Sequence, residues 1–203
     1  LRGVDGQEAD PADADLVIKR RNTKDKVFRE ILTVGCPRNY VFVPAPEAGD
    51  RITKDPRVTS DFCVAKYEMK KVNDTAVSRR DGLPWVDIKK GKSPTEAGSA
   101  WSECRKLGPK YDLIGNRQWQ TLVYDIAEQD ANWSGDAFND RLVQGHTDGK
   151  PNTLLEAGFN TEDEFGTREP EGNVSSDQRR VHELSNGLKV WDLAGNAEEW
   201  ILE

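Results

Sequence analysis

The 203-residue chain carries 36 Asp and Glu against 29 Lys and Arg, for a formal net charge of -7, and 32% of it is charged. That balance excludes a general nucleic-acid binder, whose footprint is a basic face, and no apolar run approaches the length that spans a bilayer. The length allows one good core, or one domain with a short appendage.

The first residue is Leu, and no charged-then-apolar leader precedes the acidic start, so the sequence reads as a processed or excised piece with its targeting information elsewhere. Residues 1–15, rich in Gly, Asp, Ala and Pro, read as a flexible lead-in. Leu16-Val17-Ile18 and Val27–Leu32 flank the polar turn material Asn22-Thr23-Lys24-Asp25. Their apolar positions form no heptads, so the expectation is a small strand pair, the remnant of a neck or stalk ending near residue 35. Such a hairpin is marginal alone and is expected to pack on the main domain or on other copies of itself.

A compact domain is expected over residues 36–203, starting at Cys36-Pro37. Tyr40–Pro44 reads as a first strand and Phe62–Met69 as a second, with a polar loop between them. Ser93-Pro94-Thr95-Glu96 has the chemistry of a helix start: a capping Ser, Pro at the first helical position and Glu in a capping box. Ala97, Ala100, Trp101, Cys104 and Leu107 follow at helical spacing until Gly108. Asn116 is expected to cap a second helix with the stripe Trp119, Leu122, Val123, Ile126 and Ala127. After Ala131 the chain reads mostly as loop, longer than compact domains usually carry, and such loops tend to be functional or ion-stapled.

The last stretch is the most specific. Leu184–Trp191 reads as two strand ends joined by an Asn186-Gly187 hairpin turn. Trp191-Asp192-Leu193-Ala194-Gly195-Asn196 then makes a tight reversal, and Glu198-Glu199 lead to Trp200. Gly195 and Asn196 tolerate positive φ, and the two tryptophans are expected to bury and pin the turn.

This motif resembles the signature of the formylglycine-generating-enzyme-like (sulfatase-modifying) branch of the C-type-lectin fold. Phe62–Glu68, Leu113–Trp119, Asn132-Trp133-Ser134-Gly135 and Gly145-His146-Thr147-Asp148 extend the resemblance over roughly residues 37–203. Together they are nearer to a bacterial surface and fibre-tip subgroup than to the enzymes. The resemblance implies an α+β, C-type-lectin-like domain with two helices, small antiparallel sheets and long loops behind a short β neck. It also implies that catalysis is absent here. The oxidases of the family use a copper-binding cysteine pair after the terminal turn, a segment this sequence lacks. The related sulfoxide synthases need several histidines on iron, and only His146 and His182 are present.

Three cysteines, Cys36, Cys63 and Cys104, match no metal-ligand spacing. In an oxidising compartment they read as one pair and a leftover, with Cys63–Cys104 favoured because Cys63 lies in an apolar strand and Cys104 on a buried helical stripe. In a cytosolic protein they read as three idle thiols.

Oxygen donors concentrate in the loops, and calcium takes six to eight oxygens, so Asp136, Asp140 and Asp148 are the candidate ligands. Capping of turns by the same Asp and Asn side chains is the plainer alternative. Trp133 lies outside the helical stripes and is placed to stack on a sugar or to pack on its own loop. Arg179 and Arg180, with His146, are candidates for binding a glycan hydroxyl, carboxylate or phosphate, against the alternative of pairing with nearby acids. Glu198 and Glu199 are adjacent and should point apart, which disfavours a shared acid–base role.

The expectation is therefore a non-catalytic recognition module, outside the cell or on its surface (the periplasm being an alternative). It would be the tip of a bacterial surface or secreted fibre, commonly a homotrimer, binding a glycan or surface protein. A modifying oxidase lacking its catalytic part and a loop-variable display protein are the alternatives.

Overall fold

Among the described residues, alternating and continuous apolar runs settle into four antiparallel strand pairs, and two 3.6-periodic segments into helices, giving an α+β protein. The computed structural model describes residues 17–21, 28–32, 35–45, 60–135, 140–145, 154 and 180–203. A first hairpin pairs β1 (Val17–Arg21) with β2 (Phe28–Leu32), in register from Val17 opposite Leu32 to Arg21 opposite Phe28.

β3 (Tyr40–Val43) pairs with β4 (Phe62–Ala65), with Phe42 opposite Cys63. Val41 and Val43 join the main core, and Phe62 and Val64 pack against it. Side chains alternate across a strand, so Cys63, lying between Phe62 and Val64, is turned outward and exposed. This corrects the expected bridge. Cys63 is joined to Cys36, with Cα atoms 5.7 Å apart, and Cys104 is a free thiol. The cause is strand parity: an apolar strand buries every second residue, and Cys63 falls on the other set. In the loop-entropy account, closing a 27-residue separation stabilises the fold by about 3–4 kcal/mol.

The expected long second strand is broken at Lys66–Glu68. The chain then forms β5 (Met69–Val72) and β6 (Thr75–Ser78), joined through Asn73 and Asp74 at φ 48° and 59°. Two consecutive positive-φ residues match the right-handed twist of a hairpin, and Asn and Asp tolerate that conformation.

The first helix starts later than Ser93. Ser93–Glu96 closes only a turn, Glu96 Oε2 accepts from the Lys92 backbone N–H at 2.7 Å, and Gly98 at φ +71° ends it. α1 (Ala100–Lys106) is capped instead by Ser99, whose hydroxyl accepts from the Ser102 N–H while the Ser102 hydroxyl accepts from the Ser99 N–H. α2 (Asn116–Ala127) begins one residue past its Gly115 cap, where Gln118 reaches back to the Gly115 N–H at 3.0 Å. Its stripe buries Leu122 and Ile126 against Val41, Val43, Leu184 and Val190. Each such side chain contributes about 1.5–3 kcal/mol by leaving water.

A 3-10 turn at Asp130–Asn132 leads out of this region, and β7 (Val181–Glu183) pairs with β8 (Lys189–Trp191) across the expected Asn186-Gly187 turn. Gly187 takes φ +81°, and Asn186 Nδ2 donates to the Phe42 carbonyl at 2.9 Å, tying this hairpin to β3.

Candidate functional site

The terminal motif forms the centre of a closed polar core. Trp191 and Asp192 are buried, and Asp192 adopts φ 57° while its backbone N–H donates to the Arg180 carbonyl at 2.7 Å. The Arg180 guanidinium grips the Asp192 carboxylate at both oxygens, through Nε to Oδ1 and through a terminal nitrogen to Oδ2 at 2.6 Å. Burial pushes the Asp192 carboxyl upward, and the guanidinium pulls the other way. Removing one member of such a pair leaves a charge stranded in low dielectric.

Asn132 supplies the second lock. Its Nδ2 donates to the Ile126 and Glu183 carbonyls, and its Oδ1 accepts from the Glu183 N–H, so one amide joins the end of α2 to β7. His182 Nε2 meets the Val143 carbonyl at 2.8 Å, and the Gly145 N–H donates to the Ala194 carbonyl at 2.6 Å. Gly145 is closely approached: a Cβ there would lie 3.1 Å from Arg180 Cγ and 3.3 Å from the Ala194 oxygen. Gly145 and Arg180 are thus neighbours.

The residues singled out from the sequence separate around this core. Arg180 is corrected from a ligand contact to a structural one: it is fully buried and committed to Asp192. The pattern of a basic pair in a polar stretch gave no sign that Arg180 opens β7. Trp133 is half-buried, and its indole N–H donates to the Ala127 carbonyl at 2.9 Å, so it packs on the end of α2. Asp140 is exposed, with its carboxylate lying over Gly135, where any Cβ would collide with it. His146, Arg179, Asp136 and Asp148 lie outside the described residues. Among the described residues, no three His, Cys, Asp or Glu side chains are arranged to hold a metal ion.

A cavity of about 140 Å³ lies between β5, residues 84–88, α1 and the terminal turn. Its walls include Met69, Ile88 and Leu113, the indoles of Trp85 and Trp200, and the carboxylates of Glu68, Glu103, Glu198 and Glu199. Glu198 and Glu199 both line this cavity. Trp200 departs from expectation: it is 46% exposed, fixed by its indole N–H to the Ile88 carbonyl at 3.0 Å.

Burial, the Asp192 charge and their partial relief by Lys70, Asn196 and Arg180 bring the Glu68 carboxyl up to about 7. Glu199 keeps part of its surface in solvent, yet crowding by protein and then the Glu68 and Asp192 charges raise it also. The Cys104 thiol, on the same wall, is pushed up to about 11 by burial and by Asp112 and Glu103. Such a wall is suited to hold a proton at neutral pH or to accept a positive charge. Sequence reasoning missed Glu68 and Glu103; the available signal was a Glu placed among the buried positions of α1. Compared with family models, curated proteins and solved structures, the chain has no match.

Proposed function

We propose that this chain is a non-catalytic recognition module of the C-type-lectin-like kind, at the tip of a bacterial surface or secreted fibre, that binds a cell-surface glycan or surface protein. The observation that carries this reading is the closeness of Gly145 and Arg180, the two residues that flank 146–179 in the sequence. They are neighbours on a core closed by the Arg180–Asp192 pair, the Asn132 amide and the Ala194 carbonyl. A rigid base under a long polar segment is the arrangement by which scaffolds present binding residues.

In this reading His146 and Arg179 contact the ligand, Trp133 braces the base, and calcium on Asp136, Asp140 and Asp148 orders the presented chain. The Cys36–Cys63 bridge supports an oxidising compartment, outside the cell or at its surface. The β1–β2 hairpin is the place for a threefold contact.

The test is a glycan array probed with the unmodified protein and with a variant whose residues 146–179 are replaced by a short Gly-Ser linker, each with calcium and with EDTA. The proximity of Gly145 and Arg180 lets such a linker close without strain. Loss of binding with an unchanged melting temperature is the expected result. Equal binding by both forms would remove residues 146–179 from recognition.

A further inference from the structure

We propose that Asn186 is a deamidation site held closed by the fold, and that its conversion to aspartate or isoaspartate unties the β7–β8 hairpin from β3. The inference uses none of the residues assigned to recognition. Asn186-Gly187 is the one Asn-Gly pair in the sequence. Glycine has no Cβ to shield its backbone nitrogen, so this nitrogen can reach the neighbouring side-chain amide. The Gly187 nitrogen attacks the Asn186 side-chain carbon, the bond to Nδ2 breaks, and ammonia leaves with the proton that the Gly187 N–H gives up. Water then opens the resulting succinimide ring at either carbonyl, giving aspartate or isoaspartate. Ser185 and Gly187 are exposed, so solvent reaches the turn.

Three hydrogen bonds oppose the attack. The Gly187 N–H donates to the Leu184 carbonyl at 2.8 Å, Asn186 Oδ1 accepts from the Leu188 N–H at 3.0 Å, and Asn186 Nδ2 donates to the Phe42 carbonyl at 2.9 Å. Nucleophile and amide are each committed elsewhere, and an intramolecular reaction is fast only when its atoms are aligned. Conversion therefore waits for local opening of the hairpin. Its product cannot close the turn as before. An aspartate has no N–H to give, so the Phe42 carbonyl loses its donor and faces a carboxylate instead. Asp125 stands at the same end of the hairpin, accepting from the Ser185 N–H through Oδ2 at 3.0 Å, and it repels the new charge. Isoaspartate adds a methylene to the backbone at the turn, where Gly187 holds φ +81°. Arg180 and Asp192 lie at the far end of the hairpin, so conversion loosens one end while the ion pair holds the other.

The test incubates the whole protein in mildly alkaline buffer beside a synthetic peptide of residues 184–189, and reads the mass gain at Asn186 by peptide mapping. Conversion in the protein is expected to be more than about tenfold slower than in the peptide, yet detectable within about a hundred peptide half-lives. A smaller difference would show that the fold does not hold the site closed, and no conversion in that time would show that Asn186 is not a site. Either result overturns the proposal. The consequence is read on Asn186→Asp, which should lower the urea midpoint more than Asn186→Ala does, because alanine loses the donor without adding a charge. A midpoint for Asn186→Asp no lower than that of Asn186→Ala would overturn the untying. Should Asn186→Asp not fold, the aged protein supplies the converted chain. Thermolysin should then cut the converted fraction several-fold faster than the unconverted one, and equal rates would overturn the untying in the same way.

Discussion

Two regions of this protein bury acidic side chains, and they treat them in opposite ways. Under the terminal turn, Asp192 is held at both oxygens by Arg180 and sits among backbone groups that are themselves paired. Beside α1, Glu68 and Glu103 each satisfy one oxygen and leave the other buried without a partner. The first region pairs both carboxylate oxygens within the fold; the second leaves one oxygen of each glutamate buried and unpaired. Burial of a carboxylate therefore does not by itself separate structure from site. What separates them is whether every lone pair has been spent within the fold.

The sharpest test of this contrast is Asp192→Ala, which strands the Arg180 charge. It should cost about 3–5 kcal/mol, read as a large fall in the urea midpoint. A loss below about 1 kcal/mol would mean that water reaches Arg180 and the region is not closed. Next is Glu68→Gln, read as a pH trend. The folded-state carboxyl of Glu68 stands at about 7, above its ordinary value of 4.5. Its contribution is fully present below about 4.5 and is lost as pH rises through 7, because the fold favours the protonated form. The variant cannot ionise, so its melting temperature relative to the parent should rise from pH 5 to pH 8. Asp192, Glu199, Lys70, Arg180 and Asn196 face or influence the same group, and a parallel pair of pH profiles would assign the trend to them instead. The smallest effect is expected for Glu103→Gln: it removes a pair with the exposed Lys106 but also an unsatisfied buried charge, for a net change within about 1 kcal/mol. A loss as large as that of Asp192→Ala would erase the distinction between the two regions.

Much of the secondary structure was legible. The stripe on α2 placed Leu122 and Ile126 in the core, and the Asn186-Gly187 pair located the final hairpin, because side-chain periodicity and positive-φ turns are local properties. The β5–β6 hairpin was not legible, because the apolar run ending at Met69 reads as one strand, although Asn73-Asp74 has the residue types of its turn. Other features were not local. Ser93 and Ser99 both precede good helix formers, and Gly98 at positive φ decides between them. Arg180 belongs to a basic pair in sequence and to Asp192 in space. The cavity gathers β5, α1 and the terminal turn, whose residues are far apart along the chain.

By itself, the sequence determined the acidic balance, the α+β class, the helical stripe of α2 and the turn chemistry of the terminal motif, all of which depend on composition or short-range spacing. Only the tertiary structure decided that Cys63 joins Cys36, that Arg180 is buried against Asp192, that Trp200 stays at the surface and that four glutamates share one cavity. The physical reason is that strand parity, ion pairing and cavity walls are set by which distant segments meet, and a single apolar or charged residue carries no record of its partner.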